Sequence, residues 1–228
     1  MSRTLGRTTW TDHWAPTRRP LLAVPVGACE QHGPHLPLDT DIRIATALAH
    51  SLADKYDDGD VLVTPPLTIT SSGEHASFPG TLSIGAEVME QMVVELVRSA
   101  DWSAGVVLVN GHGGNRIPVE RAVRMLEAEQ RRVLAWWPRV DGGDLHAGET
   151  ETSMMLALAP ELVRPAAAEP GNTAPLADLI DAMRAGGVRA VSENGVLGDP
   201  RGASASHGRT LLARLSIDLL AAVDEWWQ

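Results

Sequence analysis

A single cysteine, Cys29, stands among 228 residues, so no disulfide can close within the chain. Positive charge is also scarce: 19 Lys and Arg face 29 Asp and Glu, for a formal charge of -10. No diffuse basic surface exists to neutralise phosphates or anionic headgroups, which excludes nucleic acid and membrane surfaces as expected partners. Long hydrophobic runs are missing too. No apolar stretch nears the ~20 residues needed to span a bilayer. The start, Met1 to Pro20, is polar and carries Arg3, Arg7, Arg18 and Arg19 where an export signal would have an apolar centre. The expected compartment is the cytoplasm. Neither an internal repeat nor a domain linker is visible, and a 44% hydrophobic composition can bury one substantial core. One domain over residues 1–228 is expected.

What is present alternates in period. Leu21 to Gly27 (LLAVPVG) reads as a buried strand, although Pro25 cannot donate a ladder hydrogen bond and places it short or partly at an edge. Asp41 to Lys55 has helical spacing through Ile42, Ala45, Leu48, Ala49 and Leu52, with Asp39 to Asp41 as capping side chains. Val61 to Leu67 is a second strand, broken by Pro65 and Pro66. An amphipathic helix over Gly85 to Ala100 leads into the apolar strand Gly105 to Val109, then a helix over Asn115 to Gln130 and a strand over Arg132 to Trp137. Glu151 to Ala159 and Ser204 to Trp227 read as further helices, with Pro160 to Pro175 a surface connection between them. This alternation predicts an α/β fold of three α/β/α layers around a mostly parallel sheet.

Ligands of open α/β sheets sit beyond the carboxyl ends of the strands, and the chemically capable residues gather there. The first strand runs into Glu30-Gln31-His32 and then Asp39-Thr40-Asp41, the third into Asn110-Gly111-His112-Gly113-Gly114-Asn115, and the fourth into His146-Ala147-Gly148-Glu149-Thr150-Glu151. In extended backbone Glu30 and His32 point to the same side, and His112 arrives from a neighbouring strand end. Mixed carboxylate oxygen and imidazole nitrogen suits Zn²⁺, Mn²⁺ or Fe²⁺. Asp41, at a helix start on the returning loop, is placed to bridge two ions. Two such ions share a water, lower its pKa and polarise an amide carbonyl. Departure of the amine then needs a proton donor, for which a non-ligating His146 is the candidate. Gly111, Gly113 and Gly114 leave room close to backbone for substrate or metal, and Ser72, Glu74, His75 and Trp137 are candidates for the pocket wall.

The run VPVG at 24–27, EQHGPHLP at 30–37, DTD at 39–41, GEH at 73–75, FPGT at 78–81, NGHGGN at 110–115 and HAGETETS at 146–153 resembles the creatininase (creatinine amidohydrolase) family over roughly residues 20 to 210. The resemblance implies a layered α/β fold, a homo-oligomer and a site of two divalent ions. Glu30, Asp41 and His112 would hold one, and His32, Asp41 and a further glutamate the other. In creatininase proper a glutamate stands two residues after the NGH histidine, where this chain has Gly114. That departure moves the role to Glu151, with Glu149 as the alternative, and counts against creatinine as substrate. Within the family the chain is most similar to the peptidase branch of mycofactocin systems. That similarity implies a peptide substrate, a ribosomal precursor whose modified C-terminal Val-Tyr is released.

Other readings compete. The same metal site can serve a small cyclic amide or a formamide. Cys29, beside Glu30, can be a nucleophile activated by His32 in a metal-free hydrolase, or simply a small side chain at a strand end. A non-catalytic binding protein is a third possibility. His35 can orient a ligand from behind, while His13, His50 and His207 lack convergent partners and read as structural. Trp226 and Trp227 can pack against a neighbouring subunit.

Overall fold

The computed structural model describes residues 3–13, 19–57 and 59–227. The rest of the polar lead-in, Met1, Ser2 and residues 14–18, lies outside these. Four strands, β1 (Leu21–Val26), β2 (Val61–Val63), β3 (Gly105–Asn110) and β4 (Val133–Trp136), form one parallel sheet in the order β2-β1-β3-β4. Among the described residues six α-helices accompany them: α1 (Thr40–Ala53), α2 (Ala86–Ser99), α3 (Arg116–Ala128), α4 (Glu149–Leu158), α5 (Leu176–Gly186) and α6 (Ala205–Trp227). The expected α/β class and layering are present.

Period-two alternation along the strands separates two cores. Leu21, Ala23, Val107 and Val109 pack on one face against Ile44 and Leu48 of α1, Met155 of α4 and Leu215 of α6. Leu22, Val24, Val106 and Leu108 pack on the other against Met89 and Val93 of α2 and Val119 and Leu126 of α3. Coverage of both faces explains why the strands are continuous apolar runs. Phe78, Leu179, Val188 and Leu197 form a small third cluster under α5, a helix the sequence reading did not assign.

Two expectations need correction. β1 is interior, between β2 and β3, despite Pro25. Residues 23, 25 and 27 face the β2 side, where Ala23 O accepts from Thr64 N and Pro25 O from Leu67 N. β2 ends at Val63, so the donor that Pro25 lacks falls where no strand remains to receive it. Nor does the Asp39 to Asp41 run cap α1. The Asp39 carboxylate turns to Arg43, at 2.8 Å, and makes no cap bond, while Asp41 turns inward. Trp226 and Trp227 also have partners within the chain: Arg132 lies over Trp226, and Tyr56 meets Trp227 with ring centroids 5.4 Å apart.

Helices α4 and α6 touch backbone to backbone at Gly208, where an added Cβ would stand 1.8 Å from Ser153 O. Gly208→Ala should therefore destabilise the protein by ~1–3 kcal/mol in urea unfolding, outweighing the ~1 kcal/mol that alanine gains in helix propensity. A midpoint at or above wild type would show that the helices can separate without cost.

Candidate metal centre

The carboxyl ends of β1, β3 and β4 deliver the candidate residues to one place. Beyond β1 the chain stays extended because the segment around Leu82 pairs with it: Leu82 N donates to Cys29 O at 2.9 Å, and Gln31 N to Thr81 Oγ1 at 3.1 Å. Glu30 and His32 follow, both fully buried. Asp41 enters from the first turn of α1 and His112 from the turn after β3. His146 and Leu197 pair as an isolated bridge, and Glu151 projects from the first turn of α4. Ala147 joins these two at φ 52°, a left-handed conformation that costs a non-glycine residue energy. In that conformation Ala147 N donates to Glu151 Oε2 at 2.5 Å.

Among the described residues, three sets of ligand atoms lie within 4.8 Å of one another: Glu30, Asp41 and His112; His32, Asp41 and Glu151; and Glu30, His32 and His146. Asp41 belongs to the first two sets, with Oδ1 3.0 Å from His32 Nε2 and Oδ2 3.3 Å from His112 Nδ1. The ring nitrogens facing away from Asp41 meet backbone carbonyls. His32 Nδ1 lies 3.2 Å from Glu30 O, and His112 Nε2 lies 2.9 Å from Ser71 O. Such outer carbonyls hold the N–H of a ligating imidazole and turn its other nitrogen inward. Among the described residues no Lys or Arg pairs with Glu30, Asp41 or Glu151. Neither oxygen of Glu30, nor Asp41 Oδ2, has a partner in hydrogen-bond geometry among the described residues, although all are buried and His112 Nδ1 stands 3.1 Å from Glu30 Oε1. Unpartnered buried carboxylate oxygens are what a divalent cation satisfies, and the donor set fits zinc, iron or manganese.

The protonation of these groups follows from burial working against charge. Burial alone would lower the His32 pKa, but Asp41, Glu151 and Glu30 outweigh it and raise the pKa to about 10. Burial favours the neutral Glu151 carboxyl, which His32 only partly offsets, and its pKa rises to about 7. His146 moves the other way, well below the ordinary imidazole value, through burial and the nearby His32 and His75. Burial likewise raises the Cys29 thiol, with Asp39 and Glu30 adding to it. The Cys29 Sγ faces Gly80 O at 3.7 Å, and both His32 nitrogens are engaged elsewhere, so His32 does not activate the thiol.

The candidate wall residues separate. His75 is buried with Nε2 3.5 Å from Glu30 Oε1, and Ser72 Oγ lies 3.5 Å from His112 Nε2. Glu74 is partly exposed, its Oε1 3.4 Å from His112 Nε2. Trp137 packs on the α2–α3 side of the sheet. The three glycines differ as well. A Cβ on Gly111 would meet Asp41 O at 2.7 Å, one on Gly113 would meet nothing, and one on Gly114 would meet Glu74 Oε1 at 2.1 Å. Glu149, the alternative to Glu151, lies instead against Gly202. Of three supports around the site, sequence reasoning missed two, Asn115 and Gln31. Asn115, the last letter of NGHGGN, donates to Gly27 O at 3.2 Å and accepts from Ser71 N at 3.1 Å, tying three loops together. His35 Nε2 reaches Thr152 Oγ1 at 2.9 Å, bracing the start of α4. Gln31 contacts both His75 and His146.

The creatininase family profile, described as creatinine amidohydrolase, matches residues 6–223. The chain belongs to the creatininase family. Membership makes it a metal-dependent amidohydrolase. It is 45% identical over 226 residues to the mycofactocin precursor peptide peptidase of Mycolicibacterium smegmatis, covering 97% of this chain and 91% of that protein. Two solved creatininases superpose with a TM-score of 0.82 at 26% identity, covering 100% of this chain and 99% of theirs; one is described as a Zn-Zn type mutant and the other as creatininase Mn.

The raised pKa values of His32 and Glu151 set a pH dependence. A folded-state value above the unfolded one gives stability that is full below the unfolded pKa and lost as pH rises through the folded one. For His32 that window runs from 6.5 to about 10, and for Glu151 from 4.5 to about 7. The melting temperature of the metal-free protein should therefore fall between pH 7 and 10. Zinc should flatten that decline and release protons measurable by calorimetry in two buffers. A metal-free protein of constant melting temperature across this range would contradict the charge arrangement.

Proposed function

We propose that the chain is a peptidase that releases the modified C-terminal Val-Tyr dipeptide from the mycofactocin precursor peptide. The observation that carries the substrate is the 45% identity to a protein of that name over nearly the whole chain. Support for the chemistry comes from the shared position of Asp41 in two ligand sets whose buried oxygens lack partners. In this reading Glu30, Asp41 and His112 would hold one divalent ion, and His32, Asp41 and Glu151 the other. Ions bound there would polarise the amide carbonyl and lower the pKa of water. Zinc, iron and manganese all suit the donors.

The chain's own groups do the rest. Buried and neutral, His146 takes a proton as water attacks and returns it to the departing amine, which extends its expected role as proton donor. Glu74 and Ser72, with Gly113, line the approach to the peptide. Trp137 packs instead on the α2–α3 side of the sheet. The reading takes residues 1–228 as one domain working in the cytoplasm; among the described residues no helix is long and apolar enough to cross a membrane. A homo-oligomer suits the exposed Leu82, Val88 and Ile117. The names of the solved neighbours favour a second reading, hydrolysis of a small cyclic amide such as creatinine. Gly114 and the partly exposed Glu74 give this chain a different wall from one with a glutamate at 114.

Elemental analysis beside peptide cleavage tests both. Wild type should hold about two ions per subunit and cleave the modified precursor in preference to creatinine or a formamide. Asp41→Ala should lose both metal and cleavage, and Cys29→Ser should keep both. Metal content without peptide cleavage would move the substrate to the small amides. Loss of activity in Cys29→Ser with metal retained would revive the thiol mechanism.

A further inference from the structure

Gln31 stands between two candidate ligands, and its side chain is itself buried. Two backbone groups fix its orientation. Oε1 accepts from Gly33 N at 2.8 Å and Nε2 donates to Gly195 O at 3.0 Å, so exchanging the amide atoms would set oxygen against oxygen and N–H against N–H. One of the two Nε2 hydrogens is thereby committed to Gly195 O. Two imidazole nitrogens lie within reach of the other: His75 Nδ1 at 2.8 Å and His146 Nε2 at 3.0 Å.

The backbone oxygen of Gln31 decides between them. It lies 2.8 Å from His146 Nε2 and can only accept, so His146 Nε2 carries a hydrogen and donates it there. The remaining Gln31 hydrogen goes to His75 Nδ1, which therefore presents a lone pair. Neutral His75 then carries its own hydrogen on Nε2, 3.5 Å from Glu30 Oε1, while His146 turns the bare Nδ1 towards the same oxygen at 3.9 Å. Both imidazoles are the same tautomer, but they face the ligand cluster with opposite ends.

We propose that Gln31 is a positioning residue that sorts the two histidines, His75 as hydrogen-bond donor to the oxygen of the scissile carbonyl and His146 as proton acceptor. The proposal rests on the amide-hydrolase reading above. As the water oxygen bonds to the carbonyl carbon, one water proton passes to His146 Nδ1, and the charge gathering on the carbonyl oxygen meets the His75 Nε2–H. The C–N bond then breaks while His146 Nδ1 returns the proton to the leaving nitrogen. The products are an amine and a carboxylic acid, which loses its remaining proton to solvent. Gly195, at φ 80°, belongs to the same device, because a Cβ there would stand 1.9 Å from Gln31 Oε1.

Long-range ¹H–¹⁵N spectra of zinc-loaded protein labelled at histidine read the tautomers without any turnover. The His75 and His146 signals, assigned by their loss in His75→Gln and His146→Gln, should both show Nε2 protonated and Nδ1 bare. Gln31→Glu replaces the amide donor with an acceptor and should move the His75 hydrogen to Nδ1. In peptide cleavage, His75→Gln keeps an N–H and should stay within about tenfold of wild-type kcat, whereas His75→Leu should lose ~10²–10³-fold with little change in KM. A protonated Nδ1 on His75 in wild type overturns the proposal, as does a His75→Gln protein as inactive as His75→Leu. If the tautomers are as stated but no amide is cleaved, the hydrolase reading falls and the donor role falls with it.

Discussion

Three carboxylates, Glu30, Asp41 and Glu151, converge with imidazoles as their neighbours and no Lys or Arg among the described residues to neutralise them. Burying unpaired charge is among the most costly things a fold can do. The parallel sheet makes the convergence possible by ending β1, β3 and β4 at one edge, so that loops distant in sequence open into the same volume. The helix starts contribute as well. Asp41 and Glu151 both sit in first turns, where the positive end of the helix dipole favours a carboxylate.

The supports around this cluster are as specific as the cluster itself. Asn115 ties the turn after β3 to Gly27 and Ser71, and His35 braces α4 through Thr152. Backbone strain at Ala147 is held in place by the Glu151 hydrogen bond on one side and by the pairing of His146 with Leu197 on the other. Cys29, the one thiol of the chain, takes no part: burial and the neighbouring acids keep it protonated while it faces a carbonyl.

The sheet and its main helices were legible because apolar periodicity is a local property of sequence, and β3 shows it most plainly in GVVLVN. The convergence of Glu30, His32, Asp41, His112 and Glu151 was legible through their positions after strands and through the family motifs. Other features depend on partners far along the chain. Pro25 sits in an interior strand only because β2 stops early, and Asp39 prefers Arg43 to the helix end. The connection between Gln31 and Gly195 spans 164 positions, and neither residue carries a local sign of the other. Helix α5 buries only Leu179, so its pattern is weak.

Glu74 and position 114 compete for one small volume beside His112, since a side chain at 114 would begin where the Glu74 carboxylate now ends. Glu74 is partly exposed and can swing aside, but the His112 ring and the backbone oxygen of Ser71 close the same volume, so the room left at 114 is set by groups that cannot follow it.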